Sequence, residues 1–113
     1  MKNIMLMMCL VFIGLSAQAQ VEKSKNAKYS IDVNGNCDRC KKRIEKAAYS
    51  VAGVKSAVWS METHQLDLIL NEEKTSLSVV KKAIAKIGHD TEEEKATEEV
   101  YRSLHHCCQY ERK

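Results

Sequence analysis

The stretch VNGNCDRCKKRIEKA, Val33 to Ala47, switches from one backbone period to another within a few residues. Ahead of it, Tyr29, Ile31 and Val33 alternate with polar residues, the pattern of a half-buried strand. Asn34-Gly35-Asn36 is turn chemistry, and Asp38 is the expected N-cap of the next element. From Arg39 to Ala52 the apolar residues Ile44, Ala47, Ala48 and Val51 recur at the spacing of an amphipathic helix, which Gly53 ends. The unit is strand, turn, helix. It places Cys37 in the turn and Cys40 in the first helical turn.

Beyond this unit, VKSAVWSM and QLDLIL read as two further strands joined by the tight link Glu62-Thr63-His64. Trp59, Met61, Leu66, Leu68 and Ile69 are assigned to the sheet core rather than to a ligand site. From Ser76, the residues Leu77, Val80, Ile84 and Ile87 mark a second helical face, closed by Gly88. HDTEE predicts a weak, charged edge strand. A C-terminal helix is expected over Lys95–His105, stacking Ala96, Val100 and Leu104. Connection rules fold this order into an α+β, ferredoxin-like βαββαβ arrangement: an antiparallel sheet with two helices on one face, a weak fourth strand and an added C-terminal helix. Cys37, His64 and His89 then share one rim.

The chain has 113 residues and a formal net charge of +3. That length bounds it to one small domain. The positive charge is dispersed, without an Arg-rich stripe or interleaved aromatics, which argues against nucleic acid. Residues 1–19 combine Lys2, an apolar run from Ile4 to Leu15 and an Ala17-Gln18-Ala19 ending, the pattern of a secretory signal peptide cut after Ala19. The run is too short to span a bilayer, so no membrane span is expected once it is removed. Residues 20–27 form a polar linker, 28–93 the domain, and 94–113 a helix with a His/Cys tail. The expected location is periplasmic or secreted. Cys9 leaves with the leader, and Cys37, Cys40, Cys107 and Cys108 stay.

A helix start carries partial positive charge and unpaired N–H groups, which favour a thiolate. Arg39, Lys41, Lys42 and Arg43 add formal charge, opposed by Asp38 alone. Two thiolates at this spacing can reach one soft ion. Export also allows a local disulfide, structural or redox, with no metal. A thioredoxin-like active site is disfavoured, because the chain contains no proline to lie opposite the disulfide. A zinc ribbon would need a second CxxC pair, and adjacent Cys107-Cys108 is not one. No constellation of acid–base residues emerges, so an enzyme is not expected.

The CxxC after a first strand, the following KKRIEKA, the VAGVKSA segment leading into strand two and the βαββαβ order resemble the heavy-metal-associated domain. That family includes copper chaperones, N-terminal domains of copper-transporting ATPases and the mercury-binding periplasmic protein. The resemblance implies that Cys37 and Cys40 bind a soft ion, Cu(I) first, with Zn(II) or Hg(II) as alternatives. It implies an exported carrier that needs no catalysis and hands its ion on by thiolate exchange. It also implies an acidic metal-transporter domain as partner, docking on Arg39, Lys42, Arg43 and Lys46, and makes His89 a candidate third ligand. The pattern departs from the family's Gly-Met-Thr-Cys, reading Asn34-Gly35-Asn36-Cys37 instead, which removes a methionine that packs beneath the metal loop. HHCC, His105 to Cys108, concentrates ligand chemistry outside the family's core, making Cys107 and Cys108 candidate accessory ligands. Their reach is tied to the fourth strand. With that strand formed, the last helix climbs back to the cysteine rim; without it, the helix carries the tail to the far side.

Overall fold

The computed structural model describes residues 23–112; the expected signal peptide, with its cleavage point, lies outside them. Three strands form an antiparallel sheet in the order β1-β3-β2, with β1 Ala27–Asp32, β2 Val54–Trp59 and β3 Gln65–Leu70. Their register sets Ile31 and Trp59 on either side of Leu66, and Tyr29 and Ala57 on either side of Leu68. Period-two alternation therefore sends one row of apolar side chains to one face of the sheet. Helices α1 (Asp38–Tyr49) and α2 (Leu77–Lys86) cover that face. Ile44, Ala48, Val80 and Ile84 meet Trp59, Leu66, Leu68 and Leu70 in the core.

Local chemistry sets the boundaries. Ser76 caps α2, its hydroxyl accepting from the Val79 N–H. Gly53 and Gly88 come after the two helices at φ +104° and +109°, a left-handed backbone that glycine adopts without strain. At α1 the expected cap is displaced by one residue. Cys37 is the N-cap and Asp38 opens the helix, where its carboxylate still faces the positive end of the dipole. Met61 does not join the core; it is exposed in the β2–β3 hairpin, and Ile69 lies on the opposite sheet face from Leu68.

The weak fourth strand shrinks to a single antiparallel bridge, Val33 to Thr91. Thr91 spends its other capacity on a tight turn, its N–H donating to the Glu94 carbonyl at 2.8 Å. The C-terminal helix is also shorter than expected: α3 spans only Glu98–Arg102, capped by the Thr97 hydroxyl. A 3-10 turn, His106–Cys108, comes next. The predicted consequence of losing the strand does not hold. Five helical residues rise about 7.5 Å, too little to leave the rim, and the chain is held there by its side chains. Leu104 packs on Gly88, while Leu104, Cys108 and Tyr110 are all buried. The tail ends beside the CxxC turn.

Candidate metal centre

The turn carrying the cysteines is pinned from three sides. The Val33 N–H donates to the His64 carbonyl at 2.9 Å and the Asn34 N–H to the Asp90 carbonyl at 2.9 Å. The Trp59 indole N–H donates to the Val33 carbonyl at 3.0 Å. The Trp59 ring lies against Gly35, where an added Cβ would come within 3.1 Å of both that ring and the Cys40 Cβ. Trp59 is thus the floor of the loop that lacks the family's methionine. His64, exposed at φ +60°, stacks on the same indole with ring centroids 5.6 Å apart.

Cys40 is buried and Cys37 half-buried, their sulfurs 3.8 Å apart. The tail adds two more thiols. The Cys37, Cys40 and Cys108 sulfurs all lie within 4.8 Å of one another. Cys107 is exposed, its sulfur 3.6 Å from that of Cys37 and 3.9 Å from that of Cys108. The His105 Nδ1 stands 3.4 Å from the Cys107 sulfur. All four cysteines of the described residues are free thiols.

The environment separates these thiols electrostatically. The Cys40 N–H draws the Cys37 pKa down to about 7, helped by the Cys107 thiol and the Arg39 N–H against the cost of burial. These amides favour the thiolate without forming a full side-chain cap bond. Burial, and then the neighbouring Cys40, pushes the Cys108 thiol well up. An incoming cation therefore meets a readily ionised Cys37 sulfur, while the Cys108 thiol holds its proton.

His89 is on the expected rim but fully buried, outside the group of three sulfurs. Its Nδ1 lies 2.8 Å from the Asn34 carbonyl, which can only accept, so Nδ1 carries the proton. Burial lowers the His89 pKa and keeps the ring neutral; Nε2 is buried without a hydrogen-bond partner. The ring stacks on Tyr110 at 5.6 Å. The Tyr110 hydroxyl donates to the Gly88 carbonyl at 2.8 Å and accepts from the Asp90 N–H at 2.9 Å. Sequence reasoning passed over Tyr110, Asp90 and Arg112, the residues that seat the tail. A tyrosine in a polar chain end has no periodic partner to reveal it. Arg39, Lys42, Arg43 and Lys46 are exposed on α1, with Arg43 donating back to the Ile87 carbonyl at 2.8 Å.

A small domain of this topology, with two thiols at a cationic helix start, defines a class of soft-metal-binding modules. Residues 30–90 match the heavy-metal-associated domain, and the chain belongs to that family. Among solved structures it is similar to a CopZ metallochaperone, at 30% identity and a TM-score of 0.56, covering 57% of this chain and 98% of that one. It is similar to the N-terminal domain of a potential copper-translocating P-type ATPase from Bacillus subtilis in the Cu(I)-loaded state, at 28% identity and TM-score 0.56, covering 58% and 84%. Oxidized MerP from Ralstonia metallidurans CH34 aligns at 26% identity and TM-score 0.51, covering 57% and 94%. A comparison with curated protein sequences returns no match. The family match stops at residue 90, before the segment that supplies Cys107 and Cys108.

Proposed function

We propose that this protein is an exported carrier of one soft metal ion, bound through Cys37 and Cys40 and passed on by thiolate exchange. The observation that carries the reading is the sulfur pair 3.8 Å apart at the start of a cationic helix, in a member of the heavy-metal-associated family. Cu(I) is the favoured cargo, supported by the similarity to the metallochaperone and to the Cu(I)-loaded ATPase domain; Zn(II) and Hg(II) are the alternatives. Soft thiolates select such ions, and the lysines and arginines of α1 offset the negative charge of the complex. Exchange needs only an accessible sulfur and a partner's thiols, not catalysis. The apolar Ile4–Leu15 run and the Ala17-Gln18-Ala19 ending support export to the periplasm or outside the cell. No helix among the described residues is long and apolar enough to cross a membrane. Exposed Arg39, Lys42, Arg43 and Lys46 suit an acidic transporter domain as recipient.

The short Cys37–Cys40 and Cys37–Cys107 separations also favour a second reading, a thiol–disulfide protein without metal. Elemental analysis of protein purified under reducing conditions from its native compartment separates the two. One soft ion per chain, lost in Cys37→Ser and in Cys40→Ser, supports the carrier. Two oxidised pairs and no metal support the thiol protein. If the double variant binds Cu(I) with unchanged affinity and stoichiometry, the site is elsewhere.

A further inference from the structure

We infer that Cys108, from beyond the family domain, is the third ligand of a three-thiolate site with Cys37 and Cys40. The inference rests on the reading of that pair as the metal site. Metal–sulfur bonds of about 2.3 Å put two sulfurs about 4.6 Å apart across a linear ion and about 4.0 Å apart around a planar three-coordinate one. The Cys37–Cys40 separation of 3.8 Å matches the second figure, and Cys108 closes the triangle with all three sulfurs within 4.8 Å. The cargo is then a soft ion that accepts three sulfurs. Three metal–sulfur bonds form as each thiol still protonated releases its proton to solvent.

The site is built rather than fortuitous. Cys108 has no exposed surface, and its N–H donates to the His105 carbonyl at 2.7 Å within the 3-10 turn. Leu104 on one side and Tyr110 on the other are buried anchors. Beyond Tyr110, Arg112 pairs with buried Asp90. Successive residues of a 3-10 turn point about 120° apart, which separates the neighbours: Cys108 inward and buried, Cys107 outward and exposed. Cys107 stands at the mouth, close to Cys37, where an incoming ion or a partner's thiol arrives. A third internal sulfur makes the protein retentive, because handover must displace Cys108 as well as the pair.

The test uses the reduced full chain loaded with Cu(I), and separately with Hg(II), and reads the sulfur coordination number by X-ray absorption. Three sulfurs are expected in the wild type and in Cys107→Ser, and two in Cys108→Ser and Cys108→Ala. Competition against a chelator should show affinity falling about a hundredfold in both Cys108 variants, the loss of an intramolecular third ligand. Near-ultraviolet circular dichroism of Tyr101 and Tyr110 shows whether each variant keeps its tail docked. Two sulfurs in the wild type, or unchanged affinity in docked Cys108→Ala, overturns the third ligand and leaves the pair intact. A drop in sulfur count for Cys107→Ser equal to that for Cys108→Ser also overturns it. A wild type that takes up neither ion sinks the underlying metal reading as well.

Discussion

Arg112 clasps Asp90 with two parallel hydrogen bonds, Nε to Oδ2 at 2.9 Å and Nη2 to Oδ1 at 2.8 Å, joining the chain end to the residue after His89. The Ala96 N–H adds a third bond to Oδ1 at 2.7 Å. The guanidinium also lies over the Tyr101 ring, 4.7 Å from its centroid. The clasp fastens a segment foreign to the family onto the rim that carries the cysteines.

Arg112→Ala should cost about 2 kcal/mol, the scale for a charge-assisted bond whose removal strands a buried carboxylate. Burial alone would raise the Asp90 pKa, but Arg112 and the Ala96 N–H outweigh it and hold the carboxyl below its ordinary value. A depressed carboxylate stabilises the fold above its unfolded pKa, about 3.9, and that contribution vanishes as pH falls through the folded value. Urea unfolding of wild type and variant across pH should show a gap at neutrality that closes in acid. A gap independent of pH would mean the pair contributes only packing.

Gly88→Ala should destabilise by about 1–3 kcal/mol. Its φ of +109° disfavours any side chain, and the new Cβ would sit 2.8 Å from Leu104 Cδ2. The damage falls on the seating of the tail. Tyr110 near-ultraviolet dichroism should be lost at temperatures where α1 remains helical by far-ultraviolet signal; simultaneous melting would argue that tail and domain unfold as one.

Cys37 should ionise near neutrality in the reduced, metal-free protein. Its pKa near 7 predicts iodoacetamide labelling that rises through neutrality, while Cys108 stays unlabelled until the chain unfolds. The lowered value also sets the sign of the stability effect. Cys37 adds stability above the unfolded thiol pKa of about 8.5 and loses it as pH falls through about 7. Peptide mapping of labelled protein at several pH values checks this. A Cys37 midpoint at the ordinary thiol value would remove the helix-start effect.

Charge reversal at Arg39 and Lys42 should slow Cu(I) transfer to an acidic acceptor domain about tenfold at low salt, with the difference fading at high salt. Affinity for the ion itself should be unchanged. These two are chosen because both are exposed, whereas Arg43 is tied to Ile87. Stopped-flow transfer at two ionic strengths decides it: equal rates at low salt would exclude α1 as the docking face.

The readable elements were those with a period. Tyr29 and Ile31 at period two lie in β1, and Ile44, Ala47 and Ala48 at helical period lie in α1. Val33 and Val51 fall just past the ends of those elements, and the helix expected to reach Ala52 stops at Tyr49. The α2 stripe does the same, with Val80 and Ile84 buried. The elements that failed were short and lacked a repeat. HDTEE had too little apolar alternation to build a strand and became one bridge. The Lys95–His105 stripe overran, because only Glu98–Arg102 hold helical geometry before Leu104 turns in toward Gly88. Met61 continues the alternation of β2, yet it falls past the last paired residue, where the hairpin releases it to solvent.

Residue spacing along the chain already specifies the strand–turn–helix unit, the order of the elements and the Cys37–Cys40 pair, because each depends on residues within one or two turns of chain. Local spacing carries local geometry. The path of the tail, and with it the meeting of Cys108 with Cys37 and Cys40, comes from packing in the folded chain. That approach spans some 70 residues and rests on contacts with no sequence period: Leu104 on Gly88, the Tyr110 hydroxyl between Gly88 and Asp90, and Arg112 on Asp90. Each is a long-range bond or packing contact between residues that signal nothing alone. A sequence shows which residues can make such contacts; burial and closure of the folded chain select which of them do.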